Sequence, residues 1–171
     1  MEETYVYALD LSLNSTGVCV FTNDGKIVEI MTIDTHKEKE TKFKLKLIGN
    51  DLTKLMKVYK PEVVVIEQGF TRFNASTQSI FRVHGLVNYL FCEYKQVYYP
   101  ATTVKKTVGG KGNITKEELQ EVILSKNKKL KFENYDESDA YAVGLTYFSN
   151  HEVKESTCQE KLSQNGLHPT N

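Results

Sequence analysis

Four carboxylates stand in this sequence where a fold must justify the cost of a charge. Asp10 ends the run YVYALD and Glu67 ends VVVIE, both apolar and β-branched stretches that read as buried strands. A carboxylate in such a place is expensive unless it is paired or binds a metal. Asp136 and Asp139, in NYDESDAYAVGL, are three residues apart and so share one face of a helix. Acids that one fold could bring together, with few neutral partners nearby, suit a hard divalent cation held by oxygen rather than zinc. The chemistry they point to is metal-assisted phosphoryl transfer. Each acid also has a purely structural reading: Asp10 as a cap of backbone amides, Glu67 as a buried partner of Arg72 or Arg82, Asp136 as a helix N-cap, and Asp139 as a first-turn acid favoured by the helix dipole.

These acids need elements to carry them. Tyr5 to Ser12, Thr16 to Thr22 and Lys26 to Asp34 read as three antiparallel strands, with Asn23-Asp24-Gly25 supplying positive-φ positions for a tight turn. Phe43, Leu47, Ile48, Leu52, Leu55, Met56 and Tyr59 follow helical spacing up to Pro61, after which VVVIEQ reads as a central strand. Ala75 to Tyr94 is a second helix with Val83, Val87 and Phe91 in its stripe, and QVYYP a short strand. Gly109, Gly110 and Gly112 mark a loop after Pro100, and Thr115 with Glu118 forms a capping box for a third helix. The last helix starts near Asp136. From about His151 periodicity is lost, which predicts a frayed end and a disordered tail over 151–171, leaving 1–150 as the folded domain. Strands and helices in this order predict a mixed α/β fold.

At 171 residues the chain is of single-domain size, and its 26% charged and 40% hydrophobic residues are those of a water-soluble globular protein. No apolar run reaches the ~18 residues of a membrane span, and the acidic start MEETYVYALD lacks the basic and apolar parts of a signal peptide, so an intracellular protein without membrane partners is expected. Basic and acidic residues balance at 22 each, so net charge says nothing for nucleic acid. Their distribution says more, because lysines cluster in HKEKETKFKLK, in TTVKKTVGGKGNITK and in SKNKKLK. The first and third runs read as solvated faces. Cys19 and Cys92 fall in apolar patterns and are expected to pack as small hydrophobes.

The segments DLSLNSTGVCVF, VVVIEQGFTRFNASTQSIFRVHGLV, PATTVKKTVGGKGNITK and NYDESDAYAVGLTYF together resemble, in order and spacing, the RuvC family of Holliday-junction resolvases within the ribonuclease H-like superfamily. The resemblance implies a ribonuclease H-like five-stranded mixed sheet, three antiparallel strands first, flanked by helices. It places metal and catalytic roles on Asp10, Glu67, Asp136 and Asp139, holding Mg2+, for which Mn2+ substitutes, as two ions ~3.5–4 Å apart that would activate water and stabilise the departing 3′ oxygen. Phe70 matches an aromatic that stacks on unstacked junction bases, Lys105 and Lys116 match lysines that meet phosphate, and Lys106 and Lys111 would add phosphate contacts. It further implies a four-way DNA junction as substrate, symmetric nicking that leaves 5′-phosphate and 3′-hydroxyl ends, a homodimer, and a cytoplasmic bacterial or phage-encoded protein. Phe81 and Leu86 fall outside the main stripe of their helix, which suits a dimer face. Two other readings use the same residues: a ribonuclease H-like nuclease acting on RNA–DNA hybrid or structured RNA, and a kinase or ATPase gripping phosphate through D-x-S-x-x-S-T-G, the latter opposed by the short chain.

Overall fold

The computed structural model describes residues 3–68 and 75–164. Three strands open the chain, β1 (Tyr5–Asp10), β2 (Ser15–Thr22) and β3 (Ile27–Asp34), followed by helix α1 (Thr41–Val58), strand β4 (Pro61–Gln68), helix α2 (Ala75–Leu90), strand β5 (Lys95–Pro100) and helices α3 (Ala101–Gly109), α4 (Lys116–Lys126) and α5 (Tyr135–Gln164). The strands form one sheet in the order β3-β2-β1-β4-β5. β1 runs antiparallel to β2 and parallel to β4, which is parallel to β5. This is the five-stranded mixed sheet expected from the sequence. Of Asn23-Asp24-Gly25, only Gly25 takes a positive φ, 81°.

Burial on both faces explains the continuous apolar strands. One face, with Ala8, Cys19, Phe21 and Val65, packs on α3, α4 and α5; the other, with Tyr7, Leu9, Val18 and Ile66, packs on α1 and α2. Between them these sheet residues lie almost wholly out of solvent, and each fully buried apolar side chain stabilises by about 1.5–3 kcal/mol.

Several expectations need correction. The segment after Pro100 is not loop from the outset: ATTVKKTVG is helical, because Val104 and Val108, four apart, are buried against the core and Gly110, at φ 81°, closes the helix in the left-handed region. Helix α2 stops at Leu90, short of Tyr94, and Cys92 beyond it is exposed while Phe91 fills the buried slot. Phe43 and Leu47 are exposed on α1, whose buried anchors are Ile48 and Leu52. Leu86 packs into the core beside Gly49, whereas Phe81 is exposed. The backbone of α5 remains helical to Gln164, well past His151 where fraying is expected, and residues 165–171 lie outside the described residues.

Helix α5 is seated on the sheet by two glycines. A Cβ on Gly17 of β2 would collide with the carbonyl oxygen of Asp136, and one on Gly144 of α5 would collide with the ring of Phe21. Phe21 cannot yield easily, since it is fully buried and sits 5.7 Å from Tyr141 and 5.4 Å from Phe148, centroid to centroid. Gly144→Ala should regain about 1 kcal/mol of helix propensity but incur overpacking of ~1–3 kcal/mol. With the ring wedged, urea unfolding is expected to show a net loss of up to about 2 kcal/mol; a raised midpoint, the propensity gain without the overpacking, would mean that α5 is not seated through this contact.

Candidate active site

Strand directions gather the acids. β1 and β4 are parallel neighbours, so their carboxyl ends, Asp10 and Glu67, emerge at the same end of the sheet. Asp10 pairs across β1–β2 with Gly17, the residue whose missing side chain lets the backbone of Asp136 approach. The start of α5 therefore lies directly on the strand pair that carries Asp10. The α5 N-cap is Asn134, not Asp136: Asn134 Oδ1 accepts from the Glu137 amide at 3.1 Å and from the Thr32 hydroxyl at 3.0 Å. Asp136 is thus relieved of capping, and its carboxylate instead accepts a hydrogen bond from the Ser15 hydroxyl.

Electrostatics mark these groups as mutual neighbours. Burial first, then the charges of Glu67, Asp139 and Asp136, push the Asp10 carboxyl up to about 8, against a lowering influence from Lys116. Glu67 rises to about 7 through burial and Asp139, with Lys116 and Lys105 opposing. Asp139 is raised by burial although Lys116 bonds to it. The Lys116 ammonium, at the first position of α4, pairs with the Asp139 carboxylate; burial works against its charge, but Asp139, Asp10 and Asp136 outweigh that and hold its pKa above the usual range.

The donor set is oxygen only and its charge is under-compensated, which fits a hard divalent cation. Among the described residues no three of the acids converge into a metal cage; Asp139 is engaged by Lys116 and Asp136 by Ser15. Lys105, on α3, is close enough to influence both Glu67 and Asp139. Lys106 and Lys111 are exposed on the outer side of α3 and in the loop beyond it, away from the acids' immediate field. Phe70 and Arg72 lie outside the described residues. Arg82 is exposed, and no ion pair joins it to Glu67 among the described residues.

Sequence reasoning missed Ser15, Asn134 and Glu137. Glu137 is buried, with Oε2 accepting from the Glu133 amide at 2.7 Å, so it fastens the turn that presents Asp136. The spacing Asn134-x-x-Glu137 is the capping signal that could have revealed both. Ser15 has no such signature, since its role depends on the contact between β2 and α5.

Raised carboxyl pKa values carry a sign for stability. The folded chain binds protons at Asp10 and Glu67 that the unfolded chain releases, so this stability is present below the unfolded carboxylate range, near pH 4, and is lost as pH rises through about 7 to 8. The metal-free protein should therefore melt at a lower temperature near pH 8 than near pH 5, and the slope should flatten in Asp10→Asn. A divalent cation at millimolar concentration should recover stability at the higher pH, as a ligand held only by the folded chain does. A melting temperature independent of both pH and cation would contradict the arrangement.

Similarity to known proteins agrees with this geometry. A family profile described as crossover junction endodeoxyribonuclease RuvC matches residues 6–147. The Rickettsia typhi protein of that description is 34% identical over 150 residues, covering 82% of this chain and 94% of its own; that of Prochlorococcus marinus (strain MIT 9312) is 31% identical over 137 residues, covering 76% and 85%. Thermus thermophilus RuvC superposes with a TM-score of 0.74 at 20% identity over 88% of this chain and 97% of its own, and the same protein in complex with a Holliday junction substrate gives 0.71 at 22% over 84% and 92%. With a family match spanning nearly the whole sheet and the α5 acids, this chain belongs to the RuvC family of crossover junction endodeoxyribonucleases.

Proposed function

We propose that this chain is a divalent-metal-dependent endodeoxyribonuclease that resolves four-way DNA junctions, nicking two strands symmetrically to leave 5′-phosphate and 3′-hydroxyl ends. The observation that carries this reading is the charge-strained cluster at the sheet end, where Asp10 and Glu67 meet Asp136 and Asp139 beside two lysines. Mg2+, with Mn2+ as substitute, is the cation that suits these oxygens; Asp10, Glu67, Asp136 and Asp139 would hold two ions per site, which would supply water activation and charge stabilisation at the leaving 3′ oxygen. Asp10 and Glu67 supply carboxylates from rigid strand ends, and Asp136 and Asp139 supply them from one helix face. Lys116 offers its ammonium to a scissile phosphate, a partner that competes with Asp139 for it, and Lys105 reaches the same phosphate from α3. Lys106 and Lys111 extend the basic surface along the flanking backbone. Cytoplasmic residence accords with the described residues, in which no helix is long and apolar enough to cross a membrane.

Cutting two strands symmetrically needs two sites related by a two-fold axis. The outward side of α2 offers a surface for this: Phe81, 53% exposed, and Tyr89, 77% exposed, share one helix face with Gly85 between them. Pairing of two copies through this face makes a homodimer.

A synthetic four-way junction with Mg2+, set against linear duplex and RNA–DNA hybrid of equal length, tests the reading. Preferential cutting of the junction is expected, and preferential cutting of the hybrid would favour a different nuclease. Asp10→Asn and Glu67→Gln should keep circular dichroism and junction binding near wild type while cleavage falls by orders of magnitude; near-normal cutting by either would remove that residue from the chemistry. Phe70, which follows the last residue of β4 by two positions in the sequence, is our candidate for stacking on bases opened at the junction centre, worth ~1–3 kcal/mol per base. Phe70→Ala should impair junction cleavage far more than stability. A loss of ~3–5 kcal/mol in unfolding free energy would identify a core phenylalanine instead.

A further inference from the structure

The β3–α1 connector leaves the sheet at the same end as the acids. Ser15 pairs with Asp34 in the β2–β3 register, so β3 finishes beside the start of β2. Immediately after Asp34 the chain is held firmly to the active-site rim. The buried Thr35 donates its hydroxyl to the Leu13 carbonyl at 2.6 Å, and its amide donates to the Asn14 carbonyl at 2.9 Å. Both acceptors belong to the β1–β2 loop that runs from Asp10 to Ser15. Lys44, in the first turns of α1, completes the stitch by donating to Asn14 Oδ1. A run of contacts thus leads from Lys44 through Asn14 to Ser15, which bonds Asp136.

Residues 34–46 carry five lysines against three acids. Asp34 is engaged by His36 at 2.7 Å, and Glu40 by Lys42 at 2.8 Å, while Lys42 also lies 4.9 Å from the Phe43 ring. Glu38 is partly buried, and Lys37 contributes to the field on Asp34. Among the described residues Lys37, Lys39 and Lys46 make no ion pair, and Lys44 is met only by a neutral amide. The opposite flank of the sheet ends at Pro100 and leads at once into α3 with Lys105. Across the order β3-β2-β1-β4-β5 the two flanks stand roughly 19 Å apart at the usual strand spacing, with the acids between them. A duplex carries a phosphate charge about every 1.7 Å of axis, so that span covers many phosphates.

From this placement we propose that the β3–α1 connector together with the first turn of α1, led by Lys44 with Lys37 and Lys39, is a second binding site for the DNA sugar–phosphate backbone, on the flank of the acids opposite Lys105. Lys44 is the anchor, because its ammonium is pre-positioned by Asn14 and needs little ordering when a phosphate arrives. The proposal rests on the nuclease reading above and deepens it: the substrate is gripped on both sides of the cut rather than on the α3 side alone.

The test is a salt titration of four-way junction binding, read by fluorescence anisotropy in chelator so that no strand is cut. Lys44→Gln should lower the slope of log affinity against log salt by about one unit, and the triple variant Lys37→Gln, Lys39→Gln, Lys44→Gln by about two to three. Lys44→Arg, which keeps the charge, should keep the wild-type slope. If Lys44→Gln does not fold, the exposed pair Lys37→Gln, Lys39→Gln reads the same surface, with about one to two units lost. Folded variants with wild-type slope and affinity would overturn the inference while wild-type cutting of the junction leaves the nuclease reading standing. A wild-type protein that neither holds nor cuts the junction overturns both.

Discussion

Like charge gathered at the buried end of a sheet is the constraint around which this molecule is organised. Asp10 and Glu67 sit on adjacent parallel strands, where burial opposes ionisation of both, reinforced at Asp10 by the charge of Glu67 and at Glu67 by that of Asp139. The neighbouring elements bring compensation. Helix α3 carries Lys105, and Gly110 in the left-handed region turns the chain so that α4 can begin with Lys116 beside Asp139. The Thr115–Glu118 capping box fixes that start, with the Thr115 amide donating to Glu118 at 2.9 Å. Had the acids been paired completely within the protein, they would be a buried salt-bridge network with nothing left for a ligand. They are paired only in part.

Helix α5 answers the same constraint from the other side. Its first turn must bring two more carboxylates to a place already crowded with negative charge, and it does so through neutral groups. Asn134 rather than an acid caps it, Ser15 receives Asp136, and the buried Glu137 spends its oxygen on the Glu133 amide. Aromatics further along, with Phe21 of β2 stacked on Tyr141 and edge-on to Phe148, hold the helix where its start requires it.

Much of this was legible in the sequence because period and punctuation agreed. The alternation in YVYALD, the apolar run VVVIEQ, Pro61 and the capping box each pointed to one element, and the four acids stood out because a strand end is a costly place for a carboxylate. What escaped notice depended on tertiary contact or on short signals. Helix α3 has only Val104 and Val108 as its buried pair, and the glycines after it masked them. Cys92 read as apolar until the early end of α2 turned it outward. Ser15 is chemically ordinary and matters only because β2 meets α5.

The contact at Gly17 has a consequence for how such a protein tolerates change. Elsewhere the spacing between sheet and helix is a sum of side-chain sizes, so enlarging one valine or trimming one tyrosine shifts it. Between Gly17 and Asp136 no side chain intervenes, and main chain rests against main chain. The gap separating the strand acids from the helix acids is therefore a fixed length that substitution in the surrounding core cannot lengthen or shorten. Hydrophobic residues can drift through many combinations while the strand acids and the helix acids keep their spacing, and Gly17, like Gly144 further along the helix, has no such freedom.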